Sequence, residues 1–111
     1  MNILFDNGTP RQLRLRLFGH VVEEARERGW DALSNGDLLD RAEEAGFEVL
    51  ITTDQGIQHQ QNMSNRRMAV IVLMNTAWPH ISQRTEAIRI ALDEIQPGEV
   101  REVPIPMRDE A

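Results

Sequence analysis

The stretch Met68-Ala69-Val70-Ile71-Val72-Leu73-Met74 carries no polar side chain over its whole length. A strand with one wet face would alternate apolar and polar residues, and a buried helix usually runs longer. An uninterrupted apolar and β-branched run suits a strand covered on both faces. Such strands sit in the middle of parallel sheets flanked by helices. A chain containing one must supply neighbouring strands and covering helices.

Both can be read off the remaining sequence. Residues 2–5 and 47–52 read as further buried strands, His20-Val21-Val22 as a short one, and 99–103 as an edge strand. Between them lie helical patterns. Thr9 is placed to cap a helix with Pro10 at its first position, where a missing N–H costs nothing. Leu13, Leu17 and Phe18 would share its inner face, and Gly19 would end it. The charged residues 23–28 fit either a helix or a loop. Ser34 opens a helix with Leu38, Leu39, Ala42 and Ala45 at helical spacing, closed by Gly46. A polar helical stretch covers 54–62, and a long amphipathic helix runs from Trp78-Pro79 through Ile81, Ile88, Ala91, Leu92 and Ile95. Strands alternating with helices predict an α/β fold: a three-layer α/β/α sandwich with a mainly parallel sheet and right-handed crossovers. The chain of 111 residues is expected to form one domain over 1–104, with a disordered tail over 105–111.

Charge and composition narrow the function. The formal net charge is −6, so a general nucleic-acid coat is excluded and any such contact must be local. An acidic site holding a divalent cation fits the balance better. The absence of cysteine removes disulfides, thiolate zinc sites and cysteine nucleophiles together. No apolar run approaches the roughly 20 residues of a membrane helix. A cytoplasmic protein without membrane contact is expected.

Ligands of parallel sheets bind beyond the C-terminal strand ends, which makes three aspartates informative. Asp6 follows the first strand in Ile3-Leu4-Phe5-Asp6, and Asp54 follows another in Leu50-Ile51-Thr52-Thr53-Asp54. Asp37 lies in the first turn of the helix opened by Ser34. Magnesium and manganese want hard oxygen ligands, usually one or two carboxylates plus waters and substrate phosphates. Each aspartate also has a local explanation. Ser34-Asn35-Gly36-Asp37 matches a capping box, Asp54 suits a helix cap, and Asp6 suits an Asx-turn. The catalytic reading needs all three to converge.

At these residues the chain resembles the small PIN-like proteins of the DUF5615 type. The resemblance rests on Ile3-Leu4-Phe5-Asp6…Pro10, on Ser34…Asp37-Leu38-Leu39 and on Leu50-Ile51-Thr52-Thr53-Asp54. It runs in order through the Trp78-Pro79 helix. It implies a Rossmann-like sandwich similar to the PIN ribonucleases, many of them toxins of toxin–antitoxin pairs. It further implies a Mg²⁺- or Mn²⁺-dependent hydrolysis of RNA phosphodiesters, with Asp6, Asp37 and Asp54 as the catalytic acids and metal ligands. Asn7, Thr52, Thr53, Gln55 and Arg11 would stand around them or meet substrate. Partners implied are RNA, an antitoxin-like protein and a second copy of the chain. Relatives often carry acids where this chain has Asn7, Asn35 and Gly56. The implied site therefore holds one ion rather than two. The alternative is a non-catalytic binding module for RNA or a protein, with a depleted acidic site.

Other features have bland readings alongside functional ones. The amide-rich stretch 55–62 would contact bases or phosphates, or form a solvated face, and His59 would carry protons or simply be exposed. Arg11, Arg14 and Arg16, with Arg66 and Arg67, would grip phosphates or pair with nearby acids. Trp30 and Trp78 would stack bases or be buried. His20 and His80 have no zinc spacing. A receiver-like phosphoacceptor domain needs a late lysine, and the chain has no lysine at all. A dinucleotide-binding reading lacks the Gly-rich fingerprint.

Overall fold

The structure is a computed structural model and describes residues 1–57 and 62–107. Its frame is five short strands: β1 (Asn2–Phe5), β2 (Val21–Glu24), β3 (Val49–Thr52), β4 (Ala69–Leu73) and β5 (Val100–Val103). They form one sheet in the order β2-β1-β3-β4-β5, with every pair parallel. All residues of β3 and β4 are buried, as expected for inner strands covered on both faces. Among the described residues no helix is long and apolar enough to cross a membrane.

Side-chain alternation along the strands divides the core in two. Ile3, Phe5, Val49, Ile51, Ala69, Ile71 and Leu73 face one side. There they meet Leu13 of a 3-10 turn (Arg11–Arg16), Leu17 just after it, and the helices α2 (Trp78–Ile81) and α3 (Thr85–Glu94). Leu4, Leu50, Val70 and Val72 face the other side. They meet α1 (Asn35–Glu44) through Leu38, Leu39 and Ala42, together with Ile57, Met63 and Met68. These are the three layers expected from the sequence.

The crossovers depart from the expected uniform hand. The step from β1 to β2 uses the Phe5 face, and the return from β2 to β3 uses the Leu4 face in the opposite direction, so the two share a hand. The step from β3 to β4 keeps the direction and the face of the second. The step from β4 to β5 keeps the direction but crosses on the Phe5 face. It therefore has the other hand, and at least one of the four connections breaks the right-handed rule. The reason is coverage. A 3-10 turn of six residues cannot bury the Phe5 face of five strands, and α3 supplies the missing apolar surface through Ile88, Ala91 and Leu92.

Three local expectations are corrected. The helix after Thr9 is a 3-10 turn without a side-chain cap, and the Thr9 hydroxyl donates instead to the Ile51 carbonyl at 3.0 Å. Phe18 is not on an inner face, being 73% exposed. The single helix over 78–95 is two, broken at residues 82–84, because α2 docks on the 3-10 turn while α3 docks beside β5. Packing also extends past the expected boundary at 104, since Ile105 is buried.

The turn before β5 depends on Gly98. Its φ is +81°, and a Cβ there would lie 3.2 Å from the Met63 carbonyl and 3.3 Å from that of Arg66. Gly98→Ala should cost at least about 1–2 kcal/mol, the penalty of left-handed backbone for an L-residue, before any contribution from those contacts. Urea unfolding at constant slope would read it. A loss below about 0.5 kcal/mol would show that the turn relaxes freely.

Candidate functional site

The order β2-β1-β3 reverses direction at β1, so the C-terminal ends of β1 and β3 flank a topological switch point. Crevices of open parallel sheets form there. Asp6 and Asp54 both lie there. The Asp6 amide extends the β1–β3 ladder by donating to the Ile51 carbonyl at 3.0 Å, which fixes the Asp6 backbone relative to β3.

Thr52 ties the Asp6 carboxylate to the Asp54 backbone. It is fully buried, its hydroxyl donates to Asp6 Oδ2 at 2.8 Å, and the same oxygen accepts the Asp54 N–H at 3.0 Å. The Asn7 N–H donates to Asp6 Oδ1 at 2.8 Å. Asp54 Oδ1 accepts the Gly56 N–H at 2.9 Å, an Asx-turn, and its Oδ2 accepts the Asn35 side-chain amide at 2.9 Å. Asn35 reaches it because Ser34 starts α1 at this edge of the sheet, its Oγ accepting the Asp37 N–H at 3.3 Å.

Burial raises the Asp6 carboxyl above its ordinary pKa. The hydrogen bonds from Thr52 and Asn7 pull it back, and the negative charge of Asp54 adds a further upward push. Two carboxylates close enough to repel, one of them poorly solvated, are an arrangement that a cation relieves.

The three expected acids do not all converge. Asp37 is exposed in the first turn of α1, and among the described residues no group of three histidine, cysteine, aspartate or glutamate side chains is placed to hold a metal. The physical reason is the cap: holding the Asp37 backbone against Ser34 leaves its side chain to point outward, while Asn35 takes the place beside Asp54. Thr53 lies against Gly8, where an added Cβ would meet its hydroxyl at 3.1 Å. The Asn7 side chain donates to the Asp31 carbonyl at 2.7 Å, and so anchors a loop. Gln55 is exposed in the turn after Asp54. His59 lies outside the described residues.

The remaining pair still fits one hard cation. Among the described residues each oxygen of Asp6 and Asp54 accepts one hydrogen bond, and a carboxylate oxygen has a second lone pair for a ligand. Two carboxylates are the usual protein share of a magnesium shell, with waters and phosphate completing it.

Several arginines are accounted for by acids. Arg14 bridges Glu24 and Glu27, and Arg66 meets Asp40 at 2.8 Å. Trp30 packs edge-on to Phe47, and Trp78 is half-buried under the Arg16 guanidinium. Sequence reading missed Glu24, a buried acid at the end of β2 that accepts from Arg11 Nε at 3.2 Å. A strand extended by two residues, with arginines in the turn before it, was the available signal. No family model, curated protein or solved structure matches the chain.

Proposed function

We propose that the chain is a single-cation, Mg²⁺- or Mn²⁺-dependent RNA phosphodiesterase, in keeping with its resemblance to PIN-like proteins of the DUF5615 type. The observation that supports this most is the Asp6–Thr52–Asp54 network at the switch point of the sheet. Asp6 and Asp54 hold the ion. When bound, the ion lowers the pKa of a water and offsets charge on the phosphate. Thr52 orients the Asp6 carboxylate and fixes the Asp54 backbone, so both ligands keep their places between turnovers. Asn35 orients Asp54. Asp37, exposed one turn into α1, is left to meet solvent or substrate-borne water rather than to complete a shell. The test is calorimetric titration with Mn²⁺, followed by cleavage of single-stranded RNA with and without the ion. Wild type that neither binds Mn²⁺ nor cleaves RNA would overturn the proposal.

A second reading, a non-catalytic binding module, draws on Asn35. An amide, not an acid, faces Asp54. Asn35→Asp discriminates between the two readings. It would set two carboxylates in contact, lowering metal-free thermal stability and raising Mn²⁺ affinity on the order of tenfold, as ligand charge count tunes such sites. A variant with lowered stability and no gain in Mn²⁺ affinity would favour the binding module.

A further inference from the structure

On the other side of Asp6 from Asp54, a cavity of about 180 Å³ opens between the loop after β1 and the end of β2. Asp6, Gly8, Arg11, Glu24 and Arg26 are among the residues around it. Whole small-molecule sites usually occupy 300–1,000 Å³, so this one suits a single phosphate and the sugar that carries it. Its charges are arranged for an anion. Glu24 is buried and already accepts from Arg11, from Arg14 and from the Glu27 backbone. Among the described residues Arg11 is held by its Nε alone, with a side chain 73% exposed. No described residue engages its two terminal nitrogens, the half of the guanidinium that makes bidentate contacts with phosphate. Arg26 is exposed and forms no ion pair among the described residues. The remaining carboxylate, Asp6, is the one assigned to the cation.

We infer that this cavity is the subsite for the phosphate next to the one being cleaved on a single RNA strand, with Arg11 and Arg26 as its phosphate contacts and Glu24 as the residue that positions Arg11. The inference rests on the cation-site reading above. It adds the direction in which the strand leaves that site: toward β2.

The experiment uses the full chain and a fluorescein-labelled, phosphorothioate-backboned 12-nucleotide RNA in Mn²⁺, read by anisotropy over a salt series, with Mn²⁺ affinity measured separately by calorimetry. The double variant Arg11→Gln/Arg26→Gln should weaken RNA binding at least tenfold. It should also flatten the dependence of log Kd on log salt by about 1.4, the slope of two lost phosphate contacts on a single strand. Mn²⁺ affinity should stay at the wild-type value. Glu24→Gln should move the salt slope in the same direction by about half as much. An unchanged RNA Kd and salt slope in the double variant would overturn the subsite. So would a nucleoside monophosphate that competes as tightly as the 12-mer, since a site for one unit of a strand gains from its neighbours. Wild type that binds the 12-mer through these arginines but binds no Mn²⁺ would sink the cation reading alone.

Discussion

Asp6→Asn should weaken Mn²⁺ binding by more than about 100-fold, the upper end of what even an outer partner of a metal ligand costs, and should remove any Mn²⁺-dependent RNA cleavage with it. The variant keeps the shape and one acceptor oxygen but loses half the charge of a two-carboxylate site. The pH dependence supplies a second readout. Burial raises the Asp6 pKa above its ordinary value near 3.8, so the folded chain holds this proton more firmly than the unfolded chain. The increment of stability from that proton is present at low pH and is lost as pH rises from the ordinary carboxylate range through the raised folded value. In the metal-free protein, wild type should therefore lose stability relative to Asp6→Asn across that interval. Mn²⁺ competes for the same oxygens, so its affinity should begin to fall, on acidification, at a higher pH than an ordinary aspartate would dictate. At 100 times its wild-type Kd the ion should stabilise wild type by about 2.7 kcal/mol, a rise in Tm on the order of 10 °C, and the variant by less than about 0.4 kcal/mol. Equal Mn²⁺ shifts in the two proteins would remove Asp6 from the site.

How much of this was legible in the sequence follows from how local each signal is. The strands were legible because β-branched and apolar runs at 2–5, 47–52 and 68–74 leave few other conformations that bury them. The positions of Asp6 and Asp54 were legible for the same reason: a strand end is read from the strand. The partner of Asp54 was not. Asn35 is 19 residues away and meets it only because α1 starts at the sheet edge. Asp37, in the same helical turn, carried the more chemical side chain, and nothing local distinguishes which of the two points into the crevice. The break in the helix over 78–95 was hidden as well. Ile81, Ile88, Leu92 and Ile95 stay in phase for one continuous helix, so the period carries no mark of the change of direction at 82–84. Glu24 was missed because a charged residue in a stretch read as either helix or loop raises no question until the strand is seen to reach it.

The face on which α3 packs was equally invisible, since an amphipathic helix does not announce which side of the sheet it covers, and the right-handed rule favours the Leu4 face for every step in one direction. Leu92→Ala tests the observed arrangement. Leu92 is fully buried in the cluster that contains Ile51, Ile71 and Leu73, so its truncation removes surface from the longest helix on that face among the described residues. The loss should be about 2–5 kcal/mol, the range for a buried leucine whose surroundings cannot collapse onto the gap. For a chain of this size that lowers Tm on the order of 10–20 °C. Ile90, two residues earlier on the same helix and 50% exposed, is the internal control: Ile90→Ala should stay within about 0.5 kcal/mol. Thermal and urea unfolding of the two variants, with m unchanged, separates them. If both cost the same, α3 would not be the cover of the Phe5 face, and that face would rest on the 3-10 turn and the short α2. Such a result would also displace the candidate site, because β1 and β3 hold Asp6 and Asp54 at the switch point only while Phe5 and Ile51 are packed from this side.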